Sequence, residues 1–201
     1  MKAFPVLRVA CALTLGAAVI VACSHKGGTP GAAAASGAAS GAAVSNGAAV
    51  SLVAYSGNDR VLSTNAASRT VTVNLVAGQG ASANGFNFNG YANGDMHIQV
   101  PTGWRVKVSM VDQSQTPHSA LIVPWNQRQG GMLQPAFTGS APADFRSGME
   151  QGDDPLTFTF TAGKAGQYAI VCGVPGHIDA GMWDAFDVVD SLAAPRVLVA
   201  K

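Results

Sequence analysis

The chain has 201 residues, of which 11% are charged, and a formal net charge of +1. From residue 51 onward nine Lys or Arg stand against eleven Asp or Glu, a net charge of −2. This balance excludes the basic surface that a nucleic-acid-binding domain needs, so no nucleic acid partner is expected. The composition shifts sharply near residue 50, which favours a single folded domain over residues 51–201.

The amino-terminal segment predicts an export signal. It begins with Lys2 and Arg8 and continues as an uncharged apolar run from Val9 to Val21. At 13 residues this run is shorter than the roughly 20 residues that a membrane-spanning helix needs. Residues 1–22 are therefore interpreted as a signal peptide.

The end of that run, Ile20-Val21-Ala22-Cys23, resembles the lipobox of bacterial lipoproteins, whose cysteine carries acyl groups. The resemblance predicts lipidation of Cys23 and a periplasmic or other extracytoplasmic location, with the protein held on a membrane by a lipid anchor. The alternative is an ordinary signal peptide in which Cys23 is incidental. Residues 27–50 are nearly all Gly, Ala and Ser, so that residues 23–50 are expected to form a lipidated, disordered tether.

The region after the tether is dominated by short segments in which apolar and polar residues alternate. Turn residues separate these segments, and no helical pattern longer than two turns competes. We therefore predict an all-β domain, a Greek-key sandwich or barrel. The predicted strands are 70–78, 86–91, 96–101, 104–112, 119–124, 156–162, 167–173 and 185–190.

A long irregular segment, residues 125–155, interrupts this pattern. Loops of such length in compact domains are usually functional or disordered. Its apolar residues Met132, Phe137, Phe145 and Met149 suggest that it lies against the body of the domain, with a short helix over residues 141–149; a mobile loop is the alternative.

One cysteine remains for the folded domain, because Cys11 leaves with the signal and Cys23 is assigned to lipid. Cys172 thus has no intramolecular disulfide partner, and a free thiol outside the cytoplasm is exposed to oxidation unless something occupies it. Metal coordination would occupy it.

The segment "CGVPGHIDAGMW" places Cys172, His177 and Met182 at intervals of five residues among turn-forming residues. A remote ligand is expected from His118, which opens an apolar strand. Two imidazoles, a thiolate and a weak axial thioether are the donors of a blue copper site, which predicts one ion cycling between Cu(II) and Cu(I). The backbone amides of Ser119 and of residues 173–174 are the expected hydrogen-bond donors to the thiolate.

Other metal sites fit these residues less well. Zinc also binds Cys and His, but Met is a poor zinc ligand. A dinuclear copper centre needs a second cysteine where Val174 and Pro175 stand. His97 alternates with Met96 and Ile98 in a predicted strand and is interpreted as structural, whereas His25 lies in the tether.

The segments "CGVPGHIDAGMW", "TPHSALIV" and "FNFNGY" resemble the corresponding stretches of the sulfocyanin family, and the likeness covers most of residues 52–190. The spacing of the ligand loop is also similar to that of rusticyanin. The resemblance implies a cupredoxin-like Greek-key fold. It also implies equatorial ligands Cys172, His118 and His177 and an axial ligand Met182. Archaeal sulfocyanins are held by a hydrophobic amino-terminal helix, whereas this chain carries a lipobox.

The expected function is that of a monomeric electron carrier between redox proteins, such as cytochromes or a terminal oxidase, and not that of an enzyme. A copper enzyme would need an open coordination position, which Met182 is expected to close. A copper storage or delivery protein normally clusters several Met or Cys residues, and here Met96, Met110, Met132 and Met149 are dispersed. Both remain alternatives. Phe86, Phe88, Trp183 and the 125–155 segment are expected to shield the metal.

Overall fold

The computed structural model describes residues 51–201. Alternating residues form strands here because one face of each can be buried while the other meets solvent. A four-residue helix, α1 (Asn58–Val61), and two 3-10 helices, Ser82–Gly85 and Trp125–Gln129, complete the regular elements of this region. Its strands are β1 (Leu52–Ala54), β2 (Leu62–Asn65), β3 (Thr70–Ala77), β4 (Met96–Pro101), β5 (Arg105–Asp112), β6 (Leu121–Pro124), β7 (Leu156–Thr161), β8 (Gly166–Val171), β9 (Trp183–Val189) and β10 (Arg196–Ala200).

The strands form two sheets, and the predicted all-β sandwich is confirmed. The order in one sheet is β1-β10-β4-β9-β8-β6 and in the other β2-β3-β5-β7. The pairs β3–β5 and β4–β9 are parallel, and the remaining pairs are antiparallel. The main core fills the space between the sheets. The largest side chains fully buried there include Phe88, Phe186, Leu75, Met96 and Ile98.

The prediction of a strand over residues 86–91 is wrong. Asn89 and Gly90 have positive φ angles of 54° and 83°, as a tight two-residue turn requires. Phe88 and Tyr91 exchange two backbone hydrogen bonds across this turn, at 2.9 and 2.8 Å. The chain therefore reverses where a strand was expected. Three short strands, β1, β2 and β10, were not predicted.

The 125–155 segment lies against the body of the domain, as predicted. Part of it packs on the outer face of the larger sheet and forms a second apolar cluster there, whereas Phe137 and Met149 pack with the main core. Leu133 of this segment is buried in the cluster together with Leu121, Val171 and Ile178. Because this face is covered, β8 and β9 are buried on both sides over much of their length. The cluster also contains Val123 and Ala169, with Trp125, Ala141, Phe145 and Trp183 packed against it.

Two expectations about this segment are wrong. Met132 is 77% exposed and does not pack on the domain. Residues 141–149 form turns in place of a helix, since Gly148 has a φ of +78° and the backbone of Met149 is paired with that of His118. A backbone committed to that pairing cannot make the bonds of a helix.

The signal peptide of residues 1–22, the tether of residues 23–50 and the lipidation site Cys23 lie outside the described residues. The boundaries of these segments stay predictions. Within residues 51–201 no helix has the length and apolar character needed to cross a membrane.

Candidate metal centre

Strand pairing at one end of the sandwich brings two distant segments of the chain together. β6 and β8 are antiparallel neighbours, and their ladder ends at the pair Leu121 and Val171. His118 lies just before β6, and Cys172 directly follows β8. Because both segments leave the ladder at the same end, the side chains of His118 and Cys172, 54 residues apart in sequence, can meet.

The loop after β8 is a compact hairpin that returns the chain to its starting point. Gly176 and Gly181 have φ angles of +85° and +95°, which only glycine adopts readily. The Met182 amide donates to the carbonyl of His177 at 2.9 Å, and the Cys172 amide donates to the carbonyl of Met182 at 3.1 Å. These bonds hold the backbone of all three residues around the base of the loop, as the spacing predicted.

The structure brings three of the predicted donors together. The Nδ1 atoms of His118 and His177 lie 3.1 Å apart, and the Cys172 Sγ lies 3.3 Å from the His177 Nδ1. All three donor atoms lie within 4.8 Å of one another. Donors bound about 2.0–2.3 Å from one ion are separated by roughly 3–4 Å, so one ion can be held by all three.

Burial makes the cluster a neutral one in the absence of metal. Burial lowers the pKa of His118, and burial together with the neighbouring His118 lowers the pKa of His177 from 6.5 to about 4. Burial also raises the pKa of the Cys172 thiol. At neutral pH both imidazoles therefore have a free lone pair for a metal, whereas the thiol must lose a proton to bind one.

The sulfur of Cys172 accepts hydrogen bonds from the backbone, as predicted. The Ser119 amide donates to it at 3.3 Å. Hydrogen bonds from the amides of Ser119 and Val174 act against burial and lower the pKa of the thiol. Such bonds stabilise a thiolate and tune the potential of a metal bound to it.

Met182 supplies the fourth group of the constellation. Its side chain is fully buried in the main core, in the same cluster as that of Cys172. A thioether is a poor zinc ligand but, like a thiolate, a soft ligand that suits Cu(I), and two imidazoles suit both oxidation states of copper. The donor set fits one type 1 copper ion.

Of the aromatic rings expected to shield the centre, Phe86 lies against the imidazoles, Phe88 is buried in the main core and Trp183 packs elsewhere. The ring of Phe86 lies edge-on to both imidazoles, 4.8 Å from His177 and 6.0 Å from His118 between ring centroids. Trp183 faces away from the main core and packs against Trp125 of the 125–155 segment. It therefore covers the outside of the sheet.

His97 is structural, as predicted, because its Nδ1 lies 3.4 Å from a carboxylate oxygen of Asp187 on the neighbouring strand. Sequence reasoning missed the side chain of Ser119 and the contacts of residues 145–149 with the site. The sequence shows a serine next to a candidate ligand. It does not show that the serine is buried or that its hydroxyl bonds to Phe145, because Phe145 lies in a long loop whose path the sequence does not specify.

The Sulfocyanin (SoxE) domain family matches residues 57–199. A sulfocyanin of Sulfolobus acidocaldarius is 24% identical over 144 residues, which are 67% of this chain and 71% of that protein.

Solved structures of two copper proteins are also similar. Auracyanin A, described as a "blue" copper protein from Chloroflexus aurantiacus, is 22% identical, with a TM-score of 0.39 over 60% of this chain and 99% of the other. Rusticyanin is 22% identical, with a TM-score of 0.38 over 65% of this chain and 88% of the other. On the family match, which spans nearly all of the described domain, the chain belongs to the sulfocyanin family.

Proposed function

We propose that the protein is an electron carrier that accepts one electron from a redox protein and delivers it to another, using a copper ion held by His118, Cys172, His177 and Met182. The observation that carries this proposal is the meeting of three donor atoms within 4.8 Å in a buried site. When bound, the copper would supply one-electron chemistry between Cu(II) and Cu(I).

The roles of the side chains follow from their surroundings. Cys172 would bind as a thiolate, stabilised by the amides of Ser119 and Val174. His118 and His177 would supply two nitrogen donors to the ion, and Met182 would supply a thioether as the fourth donor. Their burial excludes water and limits how far the donors can move when the charge of the site changes.

The partner surface is proposed to lie at the ligand hairpin. His177 is 7% exposed and His118 only 1%, so His177 is the imidazole nearer to solvent. Pro175 and Gly176 are exposed beside it, and Val174 is half-buried. A small apolar surface of this kind suits brief encounters with weak salt dependence. Ile178 and Gly181 of the same hairpin are buried and add nothing to this surface.

The partners are proposed to be cytochromes or a terminal oxidase at a membrane surface outside the cytoplasm. Lipidation of Cys23 would place the domain there, and the tether would let it reorient between a donor and an acceptor. This part of the proposal rests on the lipobox. Mass spectrometry of the mature amino terminus tests it, because an acylated Cys23 supports the anchor and an unmodified amino terminus contradicts it.

The electron-carrier function is tested by voltammetry of the copper-loaded protein together with turnover assays. We expect one reversible one-electron wave, and no consumption of nitrite or oxygen in the presence of a reductant. Sustained turnover of either substrate would instead indicate a copper enzyme. Release of the copper to a weak chelator, with several ions bound per chain, would indicate copper storage or delivery.

A further inference from the structure

Residues 145–149, which we call the strap, run across the two segments that carry the metal donors. At one end, Met149 forms a backbone bridge with His118. The His118 amide donates to the Met149 carbonyl at 3.0 Å, and the Met149 amide donates to the His118 carbonyl at 2.8 Å. Both backbone groups of a donor residue are therefore held by the strap.

Ser119 joins the other end of the strap to the thiolate. Its hydroxyl donates to the Phe145 carbonyl at 2.6 Å and accepts from the Gly173 amide at 2.8 Å. Its own amide donates to the Cys172 sulfur at 3.3 Å. One buried residue thus links the strap, the ligand hairpin and the sulfur.

The position of Ser119 explains why a side chain makes this link. The β6–β8 ladder ends at Leu121 and Val171; continued in the same register, it would pair Ala120 with Cys172 and then Ser119 with Gly173. At that position the serine hydroxyl, in place of a backbone carbonyl, accepts from the Gly173 amide. This side-chain hydrogen bond continues the pairing of the two strands beyond the ladder, up to the residues that carry the metal donors.

Two glycines allow the strap to approach this closely. A Cβ on Gly173 would lie 2.4 Å from the Phe145 ring and 2.6 Å from its carbonyl oxygen. A Cβ on Gly148 would lie 2.9 Å from the His118 carbonyl oxygen and 3.0 Å from a methyl group of Val174. The strap therefore packs directly on the backbone of both donor segments.

We propose that the strap holds His118 and Cys172 at ligand distance before a metal binds, and that Ser119 is the positioning residue through which it acts. This inference rests on the proposed copper site. The strap restricts movement of the donors, so that little has to rearrange when copper enters or changes charge. Mutating a residue that hydrogen-bonds to a metal ligand typically lowers metal affinity about 10–100-fold. The strap makes contacts of this kind, so we expect an effect of the same size when it is displaced.

A pair of glycine variants isolates the contact. Gly148 and Gly152 both have positive φ angles, +78° and +94°, but a Cβ on Gly152 meets nothing within 4 Å. Gly148→Ala and Gly152→Ala thus impose similar backbone strain, and only the first pushes the strap from His118. We expect Gly148→Ala to lower Cu(I) affinity about 10–100-fold in chelator competition, and Gly152→Ala to leave it unchanged. Equal affinities would overturn the proposal.

A pair of serine variants covers the case in which Gly148→Ala does not fold. Ser140 lies in the 125–155 segment and is fully buried, like Ser119. Its hydroxyl donates to the Ile122 carbonyl at 3.2 Å and accepts from the Phe137 amide at 3.1 Å. Ser119→Ala and Ser140→Ala therefore remove similar bonds, but Ser140 touches no donor residue through them. We expect both to destabilise the fold and only Ser119→Ala to weaken Cu(I) binding.

The second readout uses the metal-free protein. In Ser119→Ala the amide of Gly173 should exchange with solvent faster than in the unmutated protein, and it should be unaffected in Ser140→Ala. Equal behaviour of the two serine variants in exchange and affinity would overturn the proposal. If the unmutated protein binds no copper, the proposed function fails; if it binds copper and the variants do not differ, only the role of the strap fails.

Discussion

The ring of Phe86 lies nearly perpendicular to that of His177, with 4.8 Å between ring centroids and 76° between the planes. The same phenylalanine contacts His118 edge-on. An apolar ring at this position removes water from the imidazoles. Burial is the largest cause of the lowered pKa of His177, so that Phe86 links the packing of the site to its protonation.

Replacing Phe86 with alanine should raise the pKa of His177 in the metal-free protein from about 4 toward 6.5, because water would then solvate the charged imidazole. A proton NMR titration of the ring measures this shift. Phe137→Ala is the control, since Phe137 is also a partly buried ring but packs on Phe160 and Tyr168. An unchanged pKa in Phe86→Ala would show that other groups exclude the water.

The metal-free protein should lose stability through His177 as the pH falls from about 6.5 to about 4. In this range the unfolded chain binds a proton at this residue and the folded protein does not, and so the free energy of unfolding decreases with decreasing pH. Urea unfolding at several pH values should show a smaller decrease for His177→Gln. The same decrease in both proteins would contradict the lowered pKa.

Binding of Zn²⁺, which does not oxidise thiols, should release about one proton per ion near neutral pH. The thiol of Cys172 is protonated in the metal-free protein because burial raises its pKa, and the two imidazoles are already neutral. Titration in weak buffer with a pH indicator measures the release. Cys172→Ser should release almost none; proton release that persists in this variant would assign the proton to another group.

Asp184 is a buried carboxyl group two residues beyond Met182, and one of its oxygens accepts from the Met96 amide at 3.0 Å. Burial raises its pKa well above the ordinary value, so that folding favours the neutral form of this group. Asp184→Asn keeps an acceptor without charge and should change the free energy of unfolding by less than about 1 kcal/mol. Asp184→Ala leaves the amide without a partner and should cost about 1–3 kcal/mol. Equal losses in urea unfolding would contradict this role.

The titration of Asp184 acts in the opposite direction to that of His177. Because its folded pKa is raised, its contribution to stability is present at low pH and is lost as the pH rises through the folded value. In Asp184→Asn this loss should disappear from the urea unfolding data. A pH dependence unaltered by the substitution would show that the carboxyl group is ionised in the folded protein.

The site could be predicted from the sequence where short-range spacing determines it. Cys172, His177 and Met182 lie on one hairpin whose glycines set the turns, so their spacing already implies their proximity. His118 could be added because its residue type and its place before an apolar strand fit the chemistry of the other three. The alternation of residues in β3, β4 and β5 similarly predicted strands within one residue of their ends.

Contacts that depend on the path of a long loop could not be predicted. Residues 141–149 contain helix-compatible residues, but pairing of Met149 with His118 and the positive φ of Gly148 override that local preference. The failure at residues 86–91 has another cause, because the Asn89-Gly90 pair is a known turn signal that outweighs the alternation around it. The short edge strands β1 and β2 are too brief to show a pattern.

The most direct test of the copper centre is the visible absorption spectrum of the purified protein during titration with Cu(II). We expect an intense blue band that saturates at one copper ion per chain and is bleached by reduction. Because coordination by the Cys172 thiolate is its source, the band should be lost in Cys172→Ser and kept in Cys23→Ser. A colourless protein at full copper occupancy, or a blue band that survives in Cys172→Ser, would contradict the assignment of this site.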